Sequence, residues 1–209
     1  MSIAMLYGVG GGKDLTLFRQ LVDKSIKVVT EDDLDGVTTI ADNTFTNCLQ
    51  LRSISMSNSI TRIGFAAFRG CTALQNIVLS SAITNMGEWL FDNCNQLTSI
   101  IIRSNISNIG AGTFNNCYRL KKIVINSSIP TLSNVNAFNN TNNCPIYVPF
   151  YTTTATNWVS ISSRLFPLVD TVADLSNIDT TAYTKACVIG ADESYKEYTY
   201  DGSQWNEVV

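Results

Sequence analysis

Four kinds of side chain recur along this chain at a constant spacing of 23 residues. Phenylalanine, cysteine, leucine and isoleucine each form a column, and the four columns share one phase. The columns comprise Phe45, Phe68, Phe91 and Phe114; Cys48, Cys71, Cys94 and Cys117; Leu51, Leu74, Leu97 and Leu120; and Ile54, Ile77, Ile100 and Ile123. A fixed period of this length indicates a repeat array in which each coil packs mainly against its neighbours.

Each repeat contains two extended segments joined by a short turn. The first segment opens with a β-branched residue, and the second has the pattern L-x-x-I-x-apolar, as in residues 74–79. The L-x-x-I-x-apolar spacing is that of a leucine-rich-repeat strand, in which alternate side chains point inward. Phe-x-x-Cys between them fits one helical or 3₁₀ turn with both side chains on one side. The four regular repeats open at Val37, Ile60, Ile83 and Ile106.

Less regular segments flank these four repeats. A degenerate fifth turn starts at Ile129 and ends in an edge strand between Pro145 and Pro149, because proline is tolerated at sheet edges. Residues 151–168 are predicted to form a helix and a tail that close this end. At the other end, Leu15–Ile26 has apolar residues at helical spacing and is predicted to be an N-terminal capping helix.

Shorter signals mark both termini. Residues 8–12 are a glycine-rich arm, and Thr30 is a candidate cap for a short helical turn in the acidic run after it. Three strands are predicted at residues 186–190, 195–200 and 204–209, with Asp201-Gly202 as a hairpin signal between the last two. We expect these strands to form a small separate β-meander.

The predicted fold class is therefore a β-rich α/β solenoid of the leucine-rich-repeat type. It has four 23-residue turns, a degenerate fifth turn, an N-terminal capping helix and a small C-terminal β-meander. The predicted domains are an arm and capping helix in residues 1–36, the solenoid with its C-terminal cap in residues 37–168, and a linker and β-meander in residues 169–209.

The columns Ile-Gly, Phe, Asn/Gly-Cys and Leu-x-x-Ile resemble the bacterial surface-antigen (BspA-like) type of leucine-rich repeat over about residues 37–149. That resemblance implies adhesion and binding to host or matrix on bacterial surfaces. The N-terminus has no secretory signal, and with the Tyr-Asp-Gly-x-x-Trp tail it is similar to repeat proteins encoded by phages and prophages of gut bacteria. The resemblance therefore implies a non-enzymatic virion component, for tail, fibre or capsid decoration. The alternative is an adhesin on the bacterial cell surface.

Composition narrows the function classes further. The chain has no histidine, which removes Ser-His-Asp and Cys-His catalysis and histidine metal sites. A formal charge of −3 does not suggest a basic surface for nucleic acid. The sequence also lacks an apolar run long enough to predict membrane insertion. We expect no catalytic residue, no cofactor and no metal. Expected partners are other virion or surface proteins, through the arm and the β-meander, and a host protein or glycan; a homo-oligomer is compatible with the sequence.

Several groups of residues could carry chemistry but have simpler interpretations. The cysteine column would place thiols about 4.8 Å apart, within disulfide range, yet parallel Cβ directions favour small buried free thiols. Residues 8–13 lack the phosphate-loop pattern. The acidic residues 31–35 could bind calcium or form a solvated turn. Glu88 and Asp92 are interpreted as ordinary surface charges.

Outward-facing positions are the candidate binding residues. The middle row of the L-x-x-I-x-I strands is apolar, and three aromatic residues lie outside the inward columns. Rows of exposed apolar residues indicate a partner surface, although flanking segments could cover them instead. The candidates for partner binding are Val78, Ile101, Val124, Arg103, Phe65, Trp89 and Tyr118.

Overall fold

The computed structural model describes residues 24–126, 130–133, 135–149, 165–169, 172–178, 180–183, 185–189 and 194–209. Short strands dominate this part of the chain, together with three 3₁₀ helices at Asp32–Leu34, Val135–Phe138 and Val172–Asn177. The strands are β1 Val28–Val29, β2 Thr39–Ile40, β3 Ser53–Ser55, β4 Arg62–Ile63, β5 Asn76–Val78, β6 Asn85–Met86, β7 Ser99–Ile102, β8 Asn108–Ile109, β9 Lys122–Ile125, β10 Thr131–Leu132, β11 Ile146–Pro149, β12 Leu165–Val169, β13 Lys185–Ile189, β14 Tyr195–Tyr200 and β15 Trp205–Glu207.

The strands alternate between two sides of a coil. The long-strand side contains β1, β3, β5, β7, β9 and β11, and the short-strand side contains β2, β4, β6, β8 and β10. The strands that pair within one side are parallel and, apart from β1, lie one repeat from their partners, so that Ile54 lies opposite Ile77 and Ile100 lies opposite Ile123. One coil of the solenoid therefore contains 23 residues, which is the spacing of the sequence columns.

A phenylalanine stack runs through the interior. Phe45, Phe68, Phe91, Phe114 and Phe138 lie one above the other, with ring centroids 5.2–5.7 Å apart and interplanar angles of 5–18°. The first four rings and the cysteine column beside them are completely buried, and the leucine column is buried. Because every coil contributes the same side chains at the same height, one apolar core extends along the array.

The turn before each cysteine requires a left-handed backbone. Asn47, Gly70, Asn93 and Asn116 have φ values of 59°, 71°, 61° and 58°. Asparagine and glycine tolerate this conformation better than other residues do. This requirement explains the Asn/Gly-Cys column of the sequence.

The array is longer than the sequence columns indicate. At its start, β1 pairs with β3, and Val28 lies opposite Ser53, so this coil is two residues longer than the repeat. At its end, β12 pairs in parallel with β11, and Leu165 lies opposite Ile146, so this coil is four residues shorter. Because these two coils are not 23 residues long, strands β1 and β12 do not fall in the columns of the sequence.

Neither of the two predicted helices is present among the described residues. Among the described residues there is no α-helix, so the α/β part of the predicted fold class is wrong for them; single 3₁₀ turns suffice to join the strands. The predicted capping helix at Leu15–Ile26 lies outside the described residues except for its last three, which include a turn. For the predicted helix and tail at 151–168, residues 151–164 lie outside them too, and Leu165 begins strand β12.

The hairpin signal at Asp201-Gly202 is confirmed, and the Thr30 signal is borne out in part. The backbone N–H of Thr30 donates to Asp33 Oδ2 at 2.9 Å, and Asp33 N–H donates to Thr30 Oγ1 at 3.4 Å, but the N-cap residue of the 3₁₀ helix is Glu31, which makes no side-chain capping bond. Asp201 Oδ1 accepts from Ser203 N and Gln204 N at 2.8 and 2.9 Å, and Gly202 has φ 100°. These bonds close the β14–β15 hairpin.

The last three strands form the predicted antiparallel meander, but they do not form a sheet of their own. Strand β13 pairs in parallel with β12, and one sheet runs in the order β15-β14-β13-β12-β11-β9-β7. The meander therefore extends the long-strand side of the solenoid.

Candidate functional site

The predicted apolar row does not form one exposed surface. Val78 is 50% exposed, Ile101 is partly buried, and Val124 is completely buried. Val124 packs with Tyr147, Leu168 and Cys187 in a second apolar cluster. The expectation that Val124 is exposed is therefore wrong, and the exposed part of the row is confined to Val78.

Side chains of strand β14 pack at the covered part of the row, around Ile101 and Val124. Tyr195 packs against this second cluster and lies under the Arg103 guanidinium, 5.8 Å from the ring centroid to Cζ. Arg103 Nε and Asn126 Nδ2 each donate to Tyr195 Oη at 3.4 Å, and Lys122 Nζ lies 3.2 Å from Glu197 Oε1. We call strand β14, held by these contacts, the C-terminal clasp. Arg103 is thereby engaged within the fold.

The three predicted aromatics have different environments. Phe65 is 42% exposed and Tyr118 is 49% exposed. Trp89 is half-buried, and its ring covers Gly112, where an added Cβ would meet Trp89 Cε3 at 2.3 Å. Phe65 and Tyr118 remain available as surface contacts, and Tyr118 also donates to Asn116 Oδ1 at 3.0 Å.

An open groove of about 510 Å³ crosses three coils at the turns that precede and follow the cysteine column. We call it the asparagine groove. Its floor is closed by backbone hydrogen bonds between coils, from Asn47 N to Arg69 O and from Gly70 N to Asp92 O, each 2.7 Å long. The groove is lined by Thr46, Asn47, Leu49, Arg69, Gly70, Thr72, Asn93 and Asn95.

A buried carboxylate supports the one arginine of this lining. Asp92 Oδ2 accepts from Arg69 Nε at 3.0 Å, and the Asp92 side chain is 2% exposed. Its other oxygen accepts from Asn115 Nδ2 at 2.8 Å. The Arg69 side chain is 52% exposed, so its guanidinium is held along one edge while the terminal nitrogens remain available as donors.

The amide side chains of this column are ordered by contacts between coils. Asn140 Nδ2 donates to Asn116 Oδ1 at 2.7 Å, and Asn116 Nδ2 donates to Asn93 Oδ1 at 3.3 Å. Glycine replaces asparagine at position 70, so the ladder lacks a side chain there and the groove lies beside that gap. Asn95 Oδ1 is buried and has no hydrogen-bond partner among the described residues.

A family model for the BspA type leucine rich repeat region matches residues 34–165 with six copies. The chain belongs to this family. Six copies exceed the four regular repeats, and the matched range continues past them to the first residue of strand β12. No functionally curated protein matches the sequence.

Solved structures of bacterial proteins resemble this BspA-type chain. A leucine rich cell surface protein from Faecalibacterium prausnitzii shares 32% identity, with a TM-score of 0.54 over 65% of this chain and 35% of that one. A leucine-rich repeat protein from Bacteroides ovatus shares 23% identity, with a TM-score of 0.43 over 60% and 38%. The T. pallidum leucine rich repeat protein shares 20% identity, with a TM-score of 0.43 over 70% and 75%. The chain thus spans about a third of the Faecalibacterium protein.

The sequence interpretation missed the Arg69–Asp92 pair. It treated Asp92 as a surface charge, and that interpretation is wrong because Asp92 is buried. The available signal was spacing: Arg69, Asp92 and Asn115 are successive members of one 23-residue column, so the coil register places them side by side. Glu88, the other carboxylate considered there, is exposed.

The cysteines of this BspA-type chain are free, buried thiols, as the sequence predicts. Burial raises the pKa of Cys71 and of Cys117 to about 12, and it raises that of Cys94 well above the ordinary thiol value. Cys71 Sγ donates to Phe45 O at 3.0 Å. Cys94 Sγ donates to Phe68 O and Cys117 Sγ donates to Phe91 O, each at 3.2 Å. These thiols are structural, because the reactive thiolate is suppressed.

The described residues contain no group of three or more histidine, cysteine, aspartate or glutamate side chains able to hold a metal ion. They also contain no helix with the length and hydropathy needed to cross a membrane.

Proposed function

We propose that this chain is a non-enzymatic recognition module on a bacterial surface, and that the asparagine groove is its binding site. The observation that carries the proposal is Arg69, fixed on a buried carboxylate inside a groove that three coils build together. A fixed donor in a concave polar site gives orientation and specificity to a bound molecule.

A binding role fits the chemistry of the array better than a catalytic one. The chain has no histidine, and the buried thiols of the repeats are held protonated. Repeat solenoids present extended surfaces on which variable positions of successive coils can contact a partner. In the groove these positions carry hydroxyl, amide and guanidinium groups.

The bacterial cell surface is the proposed location. The support is family membership together with the Faecalibacterium relative, which is described as a cell surface protein. The virion surface remains the second location, and its support is the resemblance of the Tyr-Asp-Gly-x-x-Trp motif at residues 200–205 to phage-encoded repeat proteins. Antibody labelling of intact cells and of purified phage particles separates the two. Detection on cells alone supports the first location, and recovery in particles alone would replace it with the second.

The groove and the sheet face are separable by mutation. We expect Thr72→Trp, which fills the groove, to reduce binding to an array of glycans and matrix proteins at least about tenfold, because losing the central contacts of a binding site costs about 2 kcal/mol or more. Val78→Asp changes the exposed residue of the sheet face and serves as the matched control. Tyr118→Ala and Phe65→Ala test the exposed aromatics in the same assay. Loss of binding in Val78→Asp with Thr72→Trp unaffected would place the site on the sheet instead.

A further inference from the structure

We propose that the asparagine groove binds a carboxylate-bearing sugar, with Arg69 as the group that recognises the carboxylate. This inference rests on the proposed binding function of the groove and names its ligand class. It would make the module a receptor for acidic glycans, such as those containing uronic or sialic acid.

The geometry of Arg69 is the first support. Its Nε is occupied by Asp92 Oδ2 at 3.0 Å, which fixes the plane of the guanidinium. No hydrogen bond within the described residues uses its terminal nitrogens, and the side chain is half-exposed in the groove. A guanidinium fork held in this way matches the two oxygens of a planar carboxylate.

The lining exposes a cationic donor, paired with Asp92, and no carboxylate, which suits an acidic ligand better than a basic one. The eight lining residues include Arg69 and no aspartate or glutamate. The Asp92 carboxylate is 2% exposed, and both of its oxygens already accept hydrogen bonds, from Arg69 and Asn115. An incoming anion therefore meets the arginine without contacting the acid that supports it.

The remaining lining suits a polyhydroxylated molecule. Asn47, Thr72, Asn93 and Asn95 supply amide and hydroxyl groups across three coils. The Asn95 amide oxygen is buried and has no partner in the described structure, so rotating the side chain to bring it to a sugar hydroxyl would break no hydrogen bond accepted by that oxygen. Leu49, 57% exposed at one end, offers an apolar surface for the C–H face of a sugar ring.

The groove floor disfavours an extended peptide. Backbone groups there are already paired between coils, as in Asn47 N to Arg69 O and Asn93 N to Asn115 O, at 2.7 and 2.9 Å. A peptide added as a strand needs free backbone donors and acceptors at a sheet edge. Recognition in this groove must therefore use side chains, which favours a ligand that displays many hydroxyl groups.

Calorimetric titration of the full chain tests the proposal. The probes form two pairs, each of an acidic sugar and an uncharged counterpart. The first pair is trigalacturonic acid and its methyl ester, and the second is sialyllactose and lactose. We expect at least one acidic probe to bind, with its uncharged counterpart at least about tenfold weaker. We expect the difference to shrink in 0.5 M salt, because the contact is partly exposed to screening.

Three variants assign any preference to the groove. Arg69→Gln is expected to remove the preference for the acidic probe, reducing its affinity about tenfold. Thr72→Asp leaves the Arg69–Asp92 pair in place and adds a repelling carboxylate, so it should weaken the acidic probe more than the uncharged one. Arg62→Gln removes an exposed arginine from β4 on the short-strand side and should change neither.

The outcomes separate this inference from the proposed function. Equal affinity for charged and uncharged probes, an unchanged preference in Arg69→Gln, or no binding of either acidic probe would overturn the acidic-sugar inference. If Thr72→Trp still abolishes binding to another target on the array, the groove remains the binding site. If that variant leaves all binding intact, the groove itself is excluded.

Discussion

At the residue scale, side chains in one column share a position in the coil but not always a role. The phenylalanine and cysteine columns are uniform and internal. The column of Arg69 and Asp92 is mixed, and stacking turns its difference in charge into an ion pair. Uniform columns stabilise the array. Mixed columns place different polar and charged groups on the surface of successive coils.

Removing one ring from the phenylalanine stack should be costly. Phe91 is completely buried and lies between two stacked rings, with centroids 5.6 and 5.7 Å away. We expect Phe91→Ala to lower the free energy of unfolding by about 3–5 kcal/mol, through lost burial and a cavity. Phe65→Ala, at an exposed ring outside the stack, is the control and should cost under about 1 kcal/mol. Similar losses in both variants, measured by urea denaturation, would contradict the stack.

The thiols should be unreactive while the chain is folded. Cys71 and Cys117 have pKa values raised from 9.0 to about 12, so almost no thiolate exists at pH 8. We expect labelling by a thiol-reactive disulfide reagent to proceed only in denaturant, at least about a thousandfold faster than in buffer. Fast native labelling of any repeat cysteine would contradict their burial.

The same shift sets a direction for stability against pH. Because the folded pKa is raised, the protonated thiols stabilise the fold fully below pH 9, and this contribution is lost as pH rises toward about 12. Urea midpoints measured between pH 8 and 11 should therefore fall above pH 9. Replacing Cys71 and Cys117 with alanine should flatten that fall, whereas an unchanged slope would assign it to other groups.

At the element scale, regular coils were predictable and the clasp was not. The 23-residue period sets which residue pairs with which, so strand positions such as Ser99–Ile102 follow from the columns alone. Strand β14 has no counterpart in the period. Strand β14 packs over Ile101 and Val124 through Tyr195, which contacts residues far away in sequence. A local sequence pattern does not predict such contacts.

Removing the clasp should expose the covered cluster. A chain ending at Ser194 lacks β14 and β15, and this uncovers Val124 and its apolar neighbours Tyr147 and Cys187. We expect several-fold stronger fluorescence of a dye that binds apolar surfaces, with the repeat strands still present by circular dichroism. Deleting Val209 alone, which is fully exposed, is the control and should change nothing. Weak dye binding in the truncated chain would show that β14 does not protect this cluster.

At the scale of the whole molecule, register decides both stability and function. One interior runs from Val29 to Val148, and the same stacking that builds it brings polar positions of three coils into a groove. The interior was predictable because its columns are uniform. The groove was not, because its lining differs from coil to coil, as in Asn47, Gly70 and Asn93.

A double-mutant cycle on Arg69 and Asp92 tests this account most directly, because the pair exists only if the coils stack in this register. Arg69→Gln strands a buried carboxylate, Asp92→Asn removes that charge, and the double variant removes both charges. Urea denaturation should give Arg69→Gln the larger loss, with a coupling free energy of about 1–2 kcal/mol between the two sites. Additive losses, with coupling below about 0.3 kcal/mol, would contradict the pairing and the groove that depends on it.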